Sequence, residues 1–490
     1  MGVHQKSEGE AWSPEEFRQY GKQVIDWIAS YFERLRDYPV LSSVSPGQIK
    51  AQLPPTPPSE GEPFADILTD FERVLLSGIT HWNHPRFFAY FAITGSAPGV
   101  LGELLSSALN VNAMLWKTSP AATELEEVVL DWLRQMLGLP PEFRGVINDT
   151  ASVSSLCAMA AAREAAGLAI REQGLSARPD LPRLCMYTSD QAHSSIDKAA
   201  IVLGIGQQWL RKIPSDREFR MDAHALEQAI LADKAAGLRP VCVVATIGTT
   251  STTSVDPVAE IAELCAQHDI WLHVDAAYGG AAAVLSDKRH LFAGWEKADS
   301  IVVNPHKWLF TPIDCSVLFC RRPEVLRQAF SLTPEYLRTA EQDQVTNLMD
   351  YGVSLGRRFR ALKLWMVIRA LGTQGMAEAL RRHLTFAERL AALISAHPDF
   401  ELVAPVPFST VVFRYRPQGL PEELVNQLNE RLLDAVNRTG TTMLSHTVLR
   451  GVYALRLAIG NLRTTWEDVE LAWRVVQEEA ERMQYNRDSE

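Results

Sequence analysis

Followed as a pattern of apolar and polar positions, the chain changes character three times. Ser13-Pro14-Glu15-Glu16 has the make-up of a helix start: a hydroxyl cap, a proline in the first turn, then acids that suit the positive end of the helix dipole. Val24, Ile25, Trp27, Ile28, Tyr31, Phe32 and Leu35 then recur at helical spacing, which predicts an amphipathic helix with an aromatic stripe. The stretch 53–63, LPPTPPSEGEP, reads as a stiff linker. A helix followed by such a linker cannot bury its own stripe, so the stripe needs another subunit or the main body of the chain.

From about 120 to 320, short β-rich runs alternate with helical ones. The segments 184–189, 241–248, 270–278, 300–304 and 316–320 read as strands, and 223–237 and 258–269 as helices. Strands that are apolar almost throughout, joined by helices, predict an α/β fold with a mainly parallel sheet covered on both faces. In such sheets ligands sit beyond the carboxyl ends of the strands. After about 370 the pattern is helical again, with strand-like pieces at 407–416 and 453–460, as in a small α+β unit. The expected division is therefore 1–85, 86–370 and 371–490.

Bulk properties narrow the field. At 490 residues the chain exceeds what one compact core accommodates. A net charge of -11 disfavours nucleic acid and anionic membrane as partners. No apolar run is long enough to span a bilayer, and the polar N-terminus lacks a signal-peptide core. The six cysteines are scattered without a CxxC pair, so they read as buried apolar residues in a reducing, cytoplasmic protein.

The chemistry gathers at strand ends. SDQAHSS (189–195) offers His193, ATIGTTSTTS (245–254) offers Thr250, HVDAAYGG (273–280) offers Asp275, and NPHKWL (304–309) offers His306 and Lys307. A lysine, an acid and an imidazole at neighbouring strand ends suit pyridoxal 5'-phosphate (PLP). The amine bonds to the cofactor aldehyde, and the carboxylate keeps the pyridine nitrogen protonated so that the ring can accept electrons. Bulky His306 and Trp308 flank Lys307, an environment that lowers a lysine pKa. Asp275 ends an apolar run, where a carboxylate needs a cationic partner. Asn148-Asp149-Thr150-Ala151-Ser152 precedes a helical run and supplies amides and hydroxyls for a phosphate, although an ordinary N-cap would read the same way. His81-Trp82-Asn83-His84 lacks further ligands for a metal site.

Taken together, HWNHPRFFAYF (81–91), TSPAATELEEVVLDWL (118–133), SDQAHSS, ATIGTT, WLHVDAAYGG, NPHKWL and SLGRRFRALKLW (354–365), in this order, resemble the group II PLP-dependent decarboxylases, specifically the aromatic L-amino acid decarboxylase family. The resemblance implies the type I aminotransferase-like α/β fold and a homodimer with sites at the subunit interface, the N-terminal segment wrapping the partner. It implies that Lys307 forms the Schiff base, Asp275 pairs with the pyridine nitrogen, Ala277 backs the ring, and His193 stacks on it with Thr250 nearby. Thr150, Ala151, Ser152 and Asn304 would hold the phosphate, His306 would contact the cofactor and substrate, and Gly356 would reach the partner's phosphate. Tyr336 matches the tyrosine on a mobile catalytic loop, roughly 330–350, that protonates the substrate carbon after carbon dioxide leaves. Relatives with phenylalanine there make aldehydes.

The same resemblance places Trp82, Tyr90 and Phe91 in an aromatic substrate wall. It also marks departures: Ala92-Ile93 stands where animal members have Pro-Thr, and Met114 where they have phenylalanine. Glycine at the position of Gly356 goes with indole substrates in plant members, which leans the expectation toward tryptophan, with phenylalanine and tyrosine open. The alternatives are an oxidative decarboxylase or aldehyde synthase on the same scaffold, another PLP amino-acid decarboxylase, an aminotransferase, and a non-catalytic binding relative.

Overall fold

A computed structural model of the chain describes residues 11–332, 337, 339–341 and 344–489. The backbone forms two compact units, each assembled from separate stretches: 11–88 with 430–444 and 463–489, and 89–429 with 445–462. The expected three-part division follows the chain continuously, whereas these units do not. The boundary expected at 370 falls inside the helix Arg360–Ala396, where Gly372 breaks the helical path with φ 64° and ψ 168°.

The larger unit contains a seven-stranded sheet. Its strands are β1 (Arg144–Asn148), β2 (Leu184–Ser189), β3 (Leu210–Ile213), β4 (Arg239–Thr246), β5 (Trp271–Asp275), β6 (Ser300–Val303) and β7 (Ser316–Cys320), ordered β1-β7-β6-β5-β4-β2-β3. Neighbours from β3 to β6 are parallel, and β7 is antiparallel to both β6 and β1. The strands are apolar throughout because both faces are buried. Successive residues turn to opposite faces, so Val243 and Ala245 join one core while Cys242 and Val244 join the other. The first core contains the helix Pro120–Leu137, and the second contains the alanine-rich face of the helix Ala151–Ala165.

The five strands read from sequence are all present. β1 and β3 are additional; each is short, and each carries exposed or half-buried residues that break the apolar run. A second sheet in the same unit comprises β8 (Phe400–Leu402), β9 (Thr410–Tyr415), β10 (Ser445–Leu449) and β11 (Val452–Ala458), antiparallel in the order β10-β11-β9-β8.

In the smaller unit, helix Pro14–Glu33 begins with a capping box: the Glu16 amide donates to the Ser13 hydroxyl, and the Ser13 amide to the Glu16 carboxylate. Its aromatic stripe meets rings of the same unit. Tyr20 stacks 4.5 Å from Phe64, and Trp27 lies 5.0 Å from Phe71. Even so, no residue of this helix is buried.

Candidate active site

Because β2, β4, β5 and β6 run the same way, the segments that leave their carboxyl ends converge. A cavity of about 170 Å³ lies there, lined by Phe91, Thr150, Ala151, Ser152, His193, Thr246, Gly248, Thr250, Asp275, Ala277, Tyr278, Asn304, His306 and Lys307. Asp275 closes β5, is buried, and accepts the Ala277 amide at 3.0 Å. Lys307 sits in the short helical turn Pro305–Trp308 that follows β6. Burial lowers its pKa, the Asp275 carboxylate opposes that shift, and the Arg456 guanidinium reinforces it.

Two histidines flank the cavity in defined protonation states. Nδ1 of His193 receives the Ser195 amide at 3.1 Å, so the neutral ring carries its proton on Nε2. Burial holds the His193 pKa below the usual histidine value, with Asp275 opposing and Lys307 adding to the effect. Nδ1 of His306 likewise receives the Cys315 amide at 2.8 Å, and burial, aided by Lys307, pushes His306 down to about 3. Its Nε2 must therefore be a donor, yet the atom 3.2 Å away is placed as the Asn304 amide nitrogen, while the Asn304 oxygen is buried without a partner. Amide oxygen and nitrogen are interchangeable by shape, so we assign the oxygen to His306. The buried, unsatisfied group of Asn304 is then an NH₂ donor.

That donor makes the site fit a phosphate. At the start of the helix Ala151–Ala165, the Val153 and Ser154 amides bond back to the Thr150 carbonyl, whereas the Ala151 and Ser152 amides precede the helical ladder and lie at the cavity wall. The Thr246 hydroxyl at the end of β4 is a further buried group without a partner. In the loop after β4, Thr249, Thr252 and Ser254 bond to one another at 2.8–3.0 Å, which leaves Thr250 as the hydroxyl at the cavity.

The structure separates the remaining candidates. Tyr90 has a left-handed φ of 53° and is 55% exposed, so the chain turns one aromatic residue outward and the next, Phe91, into the cavity wall. Phe91 stacks 4.0 Å from Tyr278. Ala92 is buried against Gly460, and neither it nor Ile93 lines the cavity. Met114 packs with Leu115, Leu337 and Met349. Gly356 is exposed, with 3.9 Å of space before Asn112. Trp82 belongs to the smaller unit, where it lies 4.4 Å from Phe87. Tyr336 lies outside the described residues.

Sequence reasoning missed Thr246, Gly248 and Tyr278 in the lining, and Arg456 beside it. Thr246 could have been found, since it ends β4 as Asp275 ends β5. Arg456 lies on a strand distant in sequence and carried no local signal.

A lysine amine, a buried carboxylate and buried hydrogen-bonding groups without partners around one cavity are what a PLP-dependent enzyme requires. The pyridoxal-dependent decarboxylase conserved domain matches residues 46–416. Tyrosine decarboxylase 4 of Petroselinum crispum is 41% identical over 96% of this chain and 94% of its own. Phenylacetaldehyde synthase of a Rosa hybrid cultivar is 40% identical over 96% and 95%. The crystal structure of Oryza sativa TDC with PLP and tryptamine superposes with a TM-score of 0.93 at 37% identity, covering 97% of this chain and 99% of that one. The chain belongs to the pyridoxal-dependent decarboxylase family; it is a carboxy-lyase whose cofactor is PLP.

Proposed function

We propose that this enzyme removes the carboxyl group of an aromatic L-amino acid, releasing the arylalkylamine and carbon dioxide. The observation that carries the reading is the joint placement of Lys307, Asp275 and His193 around one cavity whose wall is the Phe91–Tyr278 aromatic pair. Lys307 would hold PLP covalently, and Asp275 would face its pyridine nitrogen. Ala277 would lie against the ring. Thr150, Ala151, Ser152 and Asn304 would bind the phosphate, with Thr250 and His306 alongside. Bound there, PLP supplies an electron-poor ring that takes up the electron pair left by the departing carboxyl group.

The protein's own groups do the rest. The buried carboxylate of Asp275 stabilises a positive charge at the pyridine nitrogen. The Nε2–H of His193 offers a donor to a substrate oxygen. Tyr336, assigned from the family resemblance, would deliver a proton to the α-carbon. A tyrosine there favours the amine over the aldehyde made by synthases such as the rose relative.

We read the active form as a cytoplasmic homodimer. Leu101, Leu104, Leu105 and Leu109 are 45–60% exposed along the helix Ala97–Leu109, and Val353 and Leu355 are exposed just before Gly356. Such a surface suits a second copy, which would bring Gly356 to the partner's phosphate and give the N-terminal helix a surface to pack on. Phe91 is the proposed substrate contact in the cavity wall; Trp82, Tyr90, Ala92, Ile93 and Met114, outside its lining, stay proposed on the family resemblance alone, with the indole ring of tryptophan favoured. All six cysteines are buried and free, in keeping with a reducing compartment.

Incubating the PLP-loaded protein with tryptophan, tyrosine, phenylalanine, histidine and glutamate, and following carbon dioxide and product, tests the reading. Amine from an aromatic acid supports it. Aldehyde with ammonia and peroxide would establish the oxidative alternative, and release from histidine or glutamate alone would overturn the substrate class.

A further inference from the structure

Arg456 projects from β11 and is 4% exposed. Its Nε donates to the Ser251 carbonyl at 3.0 Å and its Nη1 to the Tyr90 carbonyl, while Nη2 is buried without a partner. Among the described residues it has no carboxylate partner, an unusual state for a buried cation and a costly one unless the charge is used. Its guanidinium lies 4.4 Å from the centre of the Phe91 ring, and Lys307 Nζ lies 5.1 Å from the same centre. Phe91 stacks on Tyr278, and Tyr278 on Trp308 at 4.8 Å with the rings 5° from parallel.

This column passes through the two segments that carry cofactor contacts. Tyr278 follows Ala277, and Trp308 follows Lys307. Hydrogen bonds fix its edges: the Tyr278 hydroxyl lies 2.6 Å from that of Ser409, and Trp308 Nε1 donates to His383 at 3.0 Å. Arg456 caps the column and ties it to the loop that presents Thr250.

We propose that Arg456 is a positioning residue for Lys307, fixing the aromatic stack against which the amine rests and keeping a positive charge beside it. Among the described residues, four groups set the charge around Lys307. Asp275 on β5 favours its protonation and Arg456 on β11 disfavours it. His193 after β2 and His306 beside it are neutral, both held down by burial. With two histidines uncharged, Arg456 is the cation among the described residues that offsets Asp275.

The inference rests on Lys307 being the residue that joins PLP, and the test keeps the two claims apart. Full-length apoprotein is mixed with PLP over a range of pH, and the visible band of the amine-joined cofactor is followed. Only the free amine reacts, so the rate rises through the lysine's ionisation. Removing a neighbouring charge in Arg456→Gln or Arg456→Met should move the midpoint up by about one pH unit or more. Arg456→Lys keeps the charge but loses the planar face and the fork, so its plateau rate should fall several-fold at an unchanged midpoint.

An unchanged midpoint in either neutral variant with a native circular dichroism spectrum overturns the proposal. An unchanged plateau in Arg456→Lys, or a midpoint moved upward there, overturns it even where neither neutral variant folds. Wild-type protein that forms no band would instead refute the assignment of Lys307.

Discussion

The main sheet has a cavity at each end of its strands. At the amino ends of β4, β5 and β6 lies one of about 480 Å³, lined by Arg239, Trp271, Lys297, Asp299, Arg321 and Arg322 among others; at the carboxyl ends lies the one of about 170 Å³ that holds Lys307. The larger is the more highly charged, but its charges are matched. Asp299 takes Arg322 at 2.9 Å and Arg321 at 3.3 Å, Arg239 meets Asp269 at 3.5 Å, and Lys297 meets Glu263 at 3.7 Å. Its orphan among the described residues is Nε of Arg322, on a guanidinium already paired and lying over Trp271. Around the smaller cavity, Asn304, Thr246 and Arg456 each keep a buried polar atom unmatched. Volume and charge do not distinguish a site from a gap between elements; unmet hydrogen-bonding capacity in a dry place does, because only a ligand can repay it.

Mutations at the two ends should therefore differ in kind. Lys307→Ala should abolish the visible band and lower turnover by at least about a thousandfold, or about 4 kcal/mol of barrier, with the fold retained; near-normal amine production by that variant would refute the role given to this lysine. Asp275→Asn should cost about a hundredfold or more in kcat, since the amide can still accept the Ala277 N–H but cannot oppose a positive charge. At the other end, Asp299→Asn should lower unfolding free energy by about 1 kcal/mol while leaving kcat/KM unchanged, because the two arginines that lose their acid are 40–43% exposed and stay hydrated. Chemical denaturation and steady-state kinetics on the same preparation separate these outcomes. Asn304→Ala should weaken PLP retention about tenfold, read by cofactor loss on dialysis, with little change in the melting temperature of the apoprotein.

A smaller effect is expected from acid. His273, midway along β5 between the two cavities, is held at about 4 by burial, and His306 and His383 at about 3, all from 6.5. In the unfolded chain these rings bind a proton below about pH 6.5; in the fold they do not until pH 4 or 3. Stability is thus full above pH 6.5 and falls as pH drops from there, by up to about 1.4 kcal/mol per pH unit for each ring. Asp256, which burial raises from 3.8 to about 7, works in the opposite direction over much of the same window. Melting temperatures from pH 7 to pH 4 should therefore decline, and a flat profile would show that these rings are not buried and neutral.

The site was legible where one local rule governs it. Asp275, Asn304, Lys307 and His193 are polar residues just after apolar strands, and parallel topology makes that position a ligand site. Phe91 could be identified, but its separation from Tyr90 and Ala92 could not. Adjacent residues point in different directions, and the left-handed turn at Tyr90 sets which one faces inward. The edge strands β1, β3, β8 and β10 escaped detection because a short strand with exposed or half-buried positions loses the apolar run that reveals β4 and β5.

Composition and periodicity by themselves determined the mainly parallel sheet and the polar residues that stand just after its strands, because each depends on neighbours within a few residues; the pairing of Lys307 with Asp275 is what the family resemblance implies. Only the folded chain decided which polar groups are left unmatched, which way the Asn304 amide faces, and that an arginine from a distant strand shares one aromatic ring with the lysine. Those features depend on burial and on contacts between remote segments, and neither is written in local spacing.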